Sequence, residues 1–456
     1  MSIFREYDIR GVYGTDLSED VACDIGRAFG TLIRRNGGKT VSMGHDVRLS
    51  TPSLRQALLT GILSTGVDVV DIGSCPTPVL YFSLYNLSVD GGVMITASHN
   101  PAEYNGFKLC VEKRTIFGEE IQSIQLAIVR KDFDQGTGAL TVLEGFLLSY
   151  LNYSIVHFKP FLFQHKQRPI RVVMDCGNGA AGLIAPDIFK KLGADLIPIY
   201  CDPDGRFPNH HPDPTVAENL TDLIAEVIKH KADLGIAFDG DGDRLGAVDE
   251  HGEIIWGDKL TLLFATRILE KNPGAVIVSE VKASQVLYDE VARLGGTCIM
   301  WKAGHSLIKS KMKETGALLA GEMSGHIFFA DRYFGYDDAT YAACRLMEIV
   351  GCGTEPLSSY FIGVPQTFST PELRADCADD KKFDVVEKCR VLLQQEFQTI
   401  DVDGVRFLFQ GGWGLVRASN TQPALVLRFE ADTISLLTKM EQKVRQMIAG
   451  FCGSKI

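Results

Sequence analysis

Three similar α/β domains followed by a smaller α+β domain are the fold that this sequence predicts. Three observations support that reading. A pattern of apolar strand, polar loop, amphipathic helix, glycine and second apolar strand recurs three times. From residue 367 onward the order changes to strands and helices that suit an antiparallel sheet. The 456 residues suffice for roughly three or four domains.

The first repeat places a strand at 40–44, a helix at 52–64, Gly66, and a strand at 67–72. The second gives a strand at 170–174, a helix at 185–192, Gly193 and a strand at 196–199. The third gives a strand at 275–278, a helix at 285–294, Gly296 and a strand at 297–300. In each βαβ unit the glycine closes the helix, because a left-handed residue there satisfies the last carbonyls. The C-terminal part reads as a strand at 373–375, a helix at 384–395, a strand at 404–409, a Gly411-Gly-Trp-Gly414 turn, a strand at 424–429 and a helix at 435–448. The expected domains are 1–151, 152–253, 254–366 and 367–456.

Hydrophobic content of 45% and charged content of 23% are ordinary for a globular protein. A net charge of −11 argues against a nucleic-acid partner, since a phosphate backbone is held by a basic surface. The N-terminus lacks a signal-peptide layout, and no run of 18 apolar residues could span a membrane. The eleven cysteines show no Cys-x-x-Cys spacing and read as reduced core thiols of a cytoplasmic protein.

The chemistry concentrates in four loops. Asp239, Asp241 and Asp243 alternate between two apolar strand-like runs, with Arg244 directly after. Three converging carboxylates repel one another unless a cation neutralises them, and hard oxygen ligands select Mg²⁺ or Ca²⁺. An EF-hand is disfavoured because its sixth position needs glycine and holds Arg244, and because the flanks read as strands. Thr96-Ala-Ser-His-Asn-Pro101 follows an apolar strand and precedes Lys108. Ser98 lacks the Gly-x-Ser-x-Gly elbow of hydrolases, and adjacent side chains usually diverge, which speaks against a simple dyad with His99. A serine near a metal and cations suits the carriage of a phosphoryl group.

Gly321-Glu-Met-Ser-Gly-His326 offers Glu322 and Ser324 for vicinal sugar hydroxyls, or simply a turn. Arg417-Ala-Ser-Asn-Thr-Gln-Pro423 has the composition of a phosphate cradle: an arginine fork, hydroxyls and an amide. Tyr7-Asp-Ile-Arg-Gly11 reads as a docking strand with Arg10 paired to a carboxylate, and Lys282 and His305 lie close to strand ends where either could be solvated.

These motifs, in this order, resemble the α-D-phosphohexomutase family, most closely its bacterial phosphomannomutase/phosphoglucomutase branch. The resemblance runs from Tyr7 beyond Phe429. It implies four domains around a central active-site cleft, each giving one loop. It also implies reversible interconversion of hexose 1-phosphate and hexose 6-phosphate, of mannose or glucose, through a phosphoserine at Ser98 and a 1,6-bisphosphate. Mg²⁺ would be held by Ser98, Asp239, Asp241 and Asp243, with glucose 1,6-bisphosphate as activator. Glu322 and Ser324 would bind sugar hydroxyls, and Arg417, Ser419, Asn420 and Thr421 the non-reacting phosphate. Tyr7, Arg10, His99, Lys108, Arg244, Lys282, His305 and His326 would complete the cleft as proton-transfer, charge-neutralising or substrate-binding groups. The partners implied are small hexose phosphates; oligomeric state is open. Phosphoglucosamine mutase is a relative whose sugar loop normally carries glutamine where Met323 stands, and a sugar-phosphate sensor could have lost Ser98 freely.

Overall fold

The computed structural model describes residues 3–161, 168–419 and 423–452. The chain forms two compact units, one of Met1–Phe264 with Ser324–Tyr360, the other of Ala265–Met323 with Phe361–Ile456.

The first unit carries two mixed sheets. The strand order of the first is Ile9–Val12, Tyr104–Val111, Gly91–Ile95, Thr40–His45, Asp68–Ser74, Leu140–Val142. Its last four strands pair in parallel, while Tyr104–Val111 pairs antiparallel with both of its neighbours. Gly91–Ile95 is buried at all positions, as a central strand covered on both faces must be. Its carboxyl end delivers the 96–101 loop. The helices Glu19–Arg35 and Thr51–Leu63 cross at close range on this sheet. A Cβ at Gly26 would lie 2.3 Å from the Leu58 carbonyl, and one at Gly61 would lie 2.1 Å from that of Cys23, so the crossing requires both glycines.

The second sheet runs Ile254–Ile255, Leu245–Asp249, Leu234–Phe238, Arg171–Asp175, Asp195–Ile199. Leu234–Phe238 and Leu245–Asp249 form an antiparallel hairpin closing at Phe238 opposite Leu245, and loop 239–244 caps it.

In the second unit, Val276–Glu280 pairs in parallel with Thr297–Trp301 and with Leu319–Gly321. The C-terminal antiparallel sheet orders Phe368–Ser369, Ala424–Ala431, Gly412–Ala418, Val405–Phe409, Gln398–Ile400, with Leu373–Asp376 also on Ala424–Ala431. Helices Lys382–Leu393 and Ile434–Cys452 pack on this sheet through Val385, Cys389, Val444 and Ile448. Trp413 and Leu415 instead cluster with Val281. There the buried Arg406 guanidinium lies 3.7 Å from the Trp413 ring centre and donates to the carbonyls of Val281 and Ala283 at 2.7 and 2.8 Å.

The predicted elements are all present, with ends shifted by a few residues. Gly66 and Gly193 take positive φ as expected, but after the third helix the left-handed residue is Gly295, not Gly296. The Gly411-Gly-Trp-Gly414 segment is a turn only at its start, since a strand begins at Gly412. Gly412 and Gly414 serve packing instead: a Cβ would lie 2.2 Å from the Glu430 carbonyl at the first and 2.3 Å from the Phe407 ring at the second. The 239–244 loop joins strands, so the EF-hand alternative is excluded by its flanks.

Candidate active site

Ser98 sits in the loop that leaves the buried strand Gly91–Ile95, with a left-handed φ of 51°. For a non-glycine residue that conformation costs about 1–3 kcal/mol and persists only where the surroundings impose it. The Ser98 amide donates to Thr96 Oγ1 at 2.9 Å, and its carbonyl accepts from Arg48 Nη2 at 2.7 Å. Arg48 is fully buried and also donates to the carbonyls of Asn100 (2.6 Å), Pro101 (2.6 Å) and Tyr104 (3.0 Å), while Asp46 faces its Nε at 3.2 Å. One guanidinium therefore gathers four carbonyls of the serine loop. Arg10, on strand Ile9–Val12, is paired with Asp8 as expected and donates to Asn100 Oδ1 at 2.9 Å from the other side.

The positive φ has a further result. His99 Nδ1 lies 3.1 Å from Ser98 Oγ, so the expected divergence of the two side chains does not occur. A left-handed backbone at Ser98 turns its side chain toward its successor. His99 is half-buried, and desolvation together with Arg244 and Arg10 holds its imidazole well below the ordinary range, hence neutral at pH 7.

Ser98 Oγ donates to Asp239 Oδ2 at 2.7 Å. The other oxygen of Asp239 accepts from the amides of Asp243 (3.0 Å) and Arg244 (3.1 Å), which ties the loop to its own first residue. Gly240 is required because a Cβ would lie 2.3 Å from the Ser98 carbonyl, and Gly242 because φ is +74°. Thr77 Oγ1 donates to Asp241 Oδ2 at 2.6 Å. Lys108 Nζ reaches Asp241 at 2.7 Å and Asp243 at 2.5 Å.

All three aspartates are fully buried. Burial and the neighbouring Asp241 and Asp243 hold the Asp239 carboxyl well above the usual range. Burial, and at Asp241 also the neighbouring Asp243, acts in the same direction on Asp241 and Asp243, but Lys108 with Thr77 at the first, and Lys108 with His326 and Arg244 at the second, together outweigh it and hold both below that range. Burial opposes the charge of Lys108, and the two aspartates reverse the effect and raise it. The donor set fits a hard divalent cation. Oxygens of the three aspartates come within 4.8 Å of one another, Oδ1 of Asp241 is buried without a hydrogen-bond partner, and Oδ1 of Asp243 faces His326 Nε2 at 3.3 Å. An orphaned oxygen such as that of Asp241 costs about 1–3 kcal/mol unless something binds it.

Arg244 Nε lies 4.0 Å from Asp239 Oδ2 and 3.4 Å from His326 Nε2. His326 Nε2 is 3.3 Å from Asp243, and its Nδ1 is 2.9 Å from Ser324 Oγ. The first unit thus collects Arg10, Ser98, His99, Lys108, the aspartates, Arg244, Ser324 and His326 around one serine. Tyr7 is half-buried just before strand Ile9–Val12.

The second unit holds the remaining candidates. Lys282 follows strand Val276–Glu280 and is largely buried rather than solvated, 3.4 Å from Glu280 and 3.2 Å from Glu372. Burial opposes its charge, yet these two carboxylates outweigh it and hold the ammonium above its ordinary value. Glu280 also accepts from the Met323 amide at 3.1 Å, and its Oε2 is buried without a partner. Glu322 accepts from the Gly304 amide at 2.8 Å, next to His305, which is buried at the start of helix His305–Thr315. Arg417 is fixed by Asp403 Oδ2 at 2.9 Å, and the Ser419 carbonyl accepts from Lys382 Nζ at 2.6 Å. Asn420 and Thr421 lie outside the described residues.

Sequence reasoning missed Arg48, Thr77, Glu280, Asp403 and Lys382. The Asp46-x-Arg48 pair just past a strand end was a usable signal, because carboxyl ends of α/β strands are where loops build sites. Thr77, Asp403 and Lys382 act through partners distant in sequence and leave no local mark, whereas Glu280, two residues before Lys282, was open to reading as its partner.

Four family descriptions match consecutive parts of the chain: phosphoglucomutase/phosphomannomutase α/β/α domain I at 1–135, domain II at 149–252, domain III at 256–368 and the C-terminal domain at 372–447. The chain is 47% identical over 448 residues to the phosphomannomutase/phosphoglucomutase of Pseudomonas aeruginosa, covering 98% of this chain and 95% of that protein. It is 43% identical to the phosphoglucomutase of Neisseria gonorrhoeae, with 98% and 96% covered. The crystal structure of a phosphoglucomutase/phosphomannomutase family protein from Burkholderia thailandensis superimposes with a TM-score of 0.90 at 43% identity, covering 98% of this chain and 97% of that one. A serine set among three buried aspartates, four consecutive domain matches and near-complete coverage by these relatives establish one conclusion: the chain belongs to the phosphoglucomutase/phosphomannomutase family.

Proposed function

We propose that this enzyme interconverts hexose 1-phosphates and hexose 6-phosphates, with mannose and glucose as its sugars, by way of a phosphorylated Ser98. The observation that carries the reading is Ser98 Oγ, held in a strained turn 2.7 Å from the first of three buried aspartates. Phosphoryl transfer depends on placement and charge neutralisation, and both are built here.

Asp239, Asp241 and Asp243, with Ser98, would hold Mg²⁺. When bound, the ion neutralises charge on the phosphoryl oxygens and stabilises the transfer. Arg244 and Arg10 supply further positive charge, and Lys108 balances two of the aspartates. Neutral His99 is placed to accept a proton at the serine oxygen. Phosphoserine gives its phosphoryl group to the free hydroxyl of the hexose monophosphate, and the resulting 1,6-bisphosphate returns its other phosphate to Ser98. Glucose 1,6-bisphosphate acts as activator by phosphorylating the serine. Glu322, Ser324 and His326 bind the sugar, with Tyr7, Lys282 and His305 completing the contacts. The Arg417–Thr421 loop binds the phosphate that does not react. Among the described residues no helix is long and apolar enough to cross a membrane. On this reading the enzyme works on small hexose phosphates, in the cytoplasm.

A ³¹P NMR time course with mannose 1-phosphate, Mg²⁺ and a trace of glucose 1,6-bisphosphate, beside a glucose 1-phosphate run, tests this. Growth of the 6-phosphate ester in both runs is expected. Growth of inorganic phosphate alone, or no change in either, would refute it.

A further inference from the structure

Away from the serine, two cysteines meet at the carboxyl ends of neighbouring strands. Arg171–Asp175 and Asp195–Ile199 pair in parallel, with Asp175 opposite Ile199, so Cys176 and Cys201 leave the sheet side by side. Their Sγ atoms are 3.3 Å apart. A disulfide needs about 2.05 Å between sulfurs, so small loop shifts close the gap. Cys176 is buried, whereas Cys201 is half-buried.

We propose that Cys176 and Cys201 form a reversible dithiol–disulfide site that peroxides oxidise and small thiols reduce, and that its closure lowers mutase turnover. Cys201 is the accessible partner. Its thiolate attacks a peroxide oxygen; the S–O bond forms, the O–O bond breaks, and water leaves after protonation. The Cys176 sulfur then attacks the sulfenic sulfur; the S–S bond forms, the S–O bond breaks, and a second water leaves with the Cys176 proton. Two thiols lose two electrons while one hydrogen peroxide becomes two waters. Burial pushes the Cys176 thiol far up, so it suits the second step and not the first.

The pair is joined to the catalytic serine by two short routes. Asn178, with φ of 57°, is bound to the Tyr200 carbonyl (2.7 Å) and the Asp202 carbonyl (2.8 Å), which couples the two cysteine loops. Two residues on, the Ala180 amide donates to the Gly240 carbonyl at 2.9 Å, and Gly240 abuts the Ser98 carbonyl. From Cys201, the chain reaches Gly205 against the backbone of Val47 and Arg48, then Phe207, whose ring centre is 5.0 Å from the Arg48 guanidinium. Arg48 grips the Ser98 carbonyl. Drawing the sulfurs together moves both loops against the metal-binding loop and the arginine that hold Ser98.

The test treats the full chain with hydrogen peroxide, blocks free thiols, and maps disulfide-linked peptides without reduction. Glucose 1-phosphate turnover is measured before oxidation, after it, and after dithiothreitol. The expected result is a linked Cys176–Cys201 peptide pair, a several-fold loss of turnover, and recovery on reduction. Cys201→Ala should match the parent before peroxide and keep its turnover afterwards. Absence of the linked pair overturns the proposal, as does equal inactivation of Cys201→Ala. A linked pair with unchanged turnover overturns the coupling to catalysis. The mapping arm is independent of the proposed activity, so failure of the mutase reading and failure of the disulfide site give different results.

Discussion

Arg48→Lys keeps the positive charge while removing the fork, and so isolates what the geometry contributes. The guanidinium makes five contacts: four carbonyls of the 98–104 loop and the Asp46 carboxylate. An ammonium carries three N–H groups, so at least two of these acceptors lose their donor. At about 1–3 kcal/mol for each orphaned group, the loss of stability should be about 2–6 kcal/mol. The catalytic effect follows from Ser98, whose left-handed φ stores about 1–3 kcal/mol that the fork holds in place. Released, the serine relaxes away from Asp239, and a displacement on the order of 1 Å lowers transfer by roughly 100-fold. Arg48 touches the serine loop and none of the residues assigned to the substrate phosphate, so kcat should fall while KM changes little. A coupled glucose 1-phosphate assay at saturating 1,6-bisphosphate, with urea unfolding alongside, measures both. If kcat stays within about threefold of the parent although stability drops, Arg48 supports the fold without positioning the nucleophile, and the argument fails.

Ser98→Ala should abolish most turnover while sugar-phosphate binding survives in calorimetry; joint loss of both would count against a covalent role. Arg417→Ala should raise KM more than it lowers kcat, and an unchanged KM in steady-state kinetics contradicts its place in the phosphate site. Glu280→Gln removes the charge beside Lys282 and weakens the acceptor of the Met323 amide, so KM should rise several-fold and its pH dependence shift; parent-like profiles would make Glu280 a packing residue only. Asp338 caps helix Ala339–Cys352, and burial raises its carboxyl to about 6 from 3.8. The folded state then binds this proton more readily than the unfolded chain, so the penalty on its charged form, about 3 kcal/mol, is present above pH 6 and gone below pH 4. Asp338→Asn should accordingly gain stability relative to the parent as pH rises from 4 to 7, and a pH-independent difference in urea midpoints would contradict the burial argument.

The strands and motif loops were legible because period and glycine placement are written locally. The 239–244 loop between two apolar strands is the clearest case, and its first aspartate accepts from Ser98 Oγ at 2.7 Å. What escaped depended on a backbone sign or on distant partners. Nothing in Ser98-His99 announces a positive φ, so the contact between their side chains was not expected. Arg48 binds carbonyls, which every residue has, and therefore no sequence pattern marks its partners. Lys282 was read as a residue that could be solvated, because Glu372, one of the two carboxylates that hold it, lies 90 residues further along the chain. Gly296 was read as the helix-closing residue, although its neighbour Gly295 turns the chain.

The conformation of Ser98 bears on how this position can change over generations. Its φ is one that glycine adopts freely, whereas an L side chain gives up roughly 1–2 kcal/mol there. Folding by itself therefore favours the loss of this hydroxyl. A lineage freed from the need for phosphoryl transfer would drift to glycine at 98 and become more stable as it became inert. Ser98→Gly would therefore relieve the backbone and remove the nucleophile in a single step.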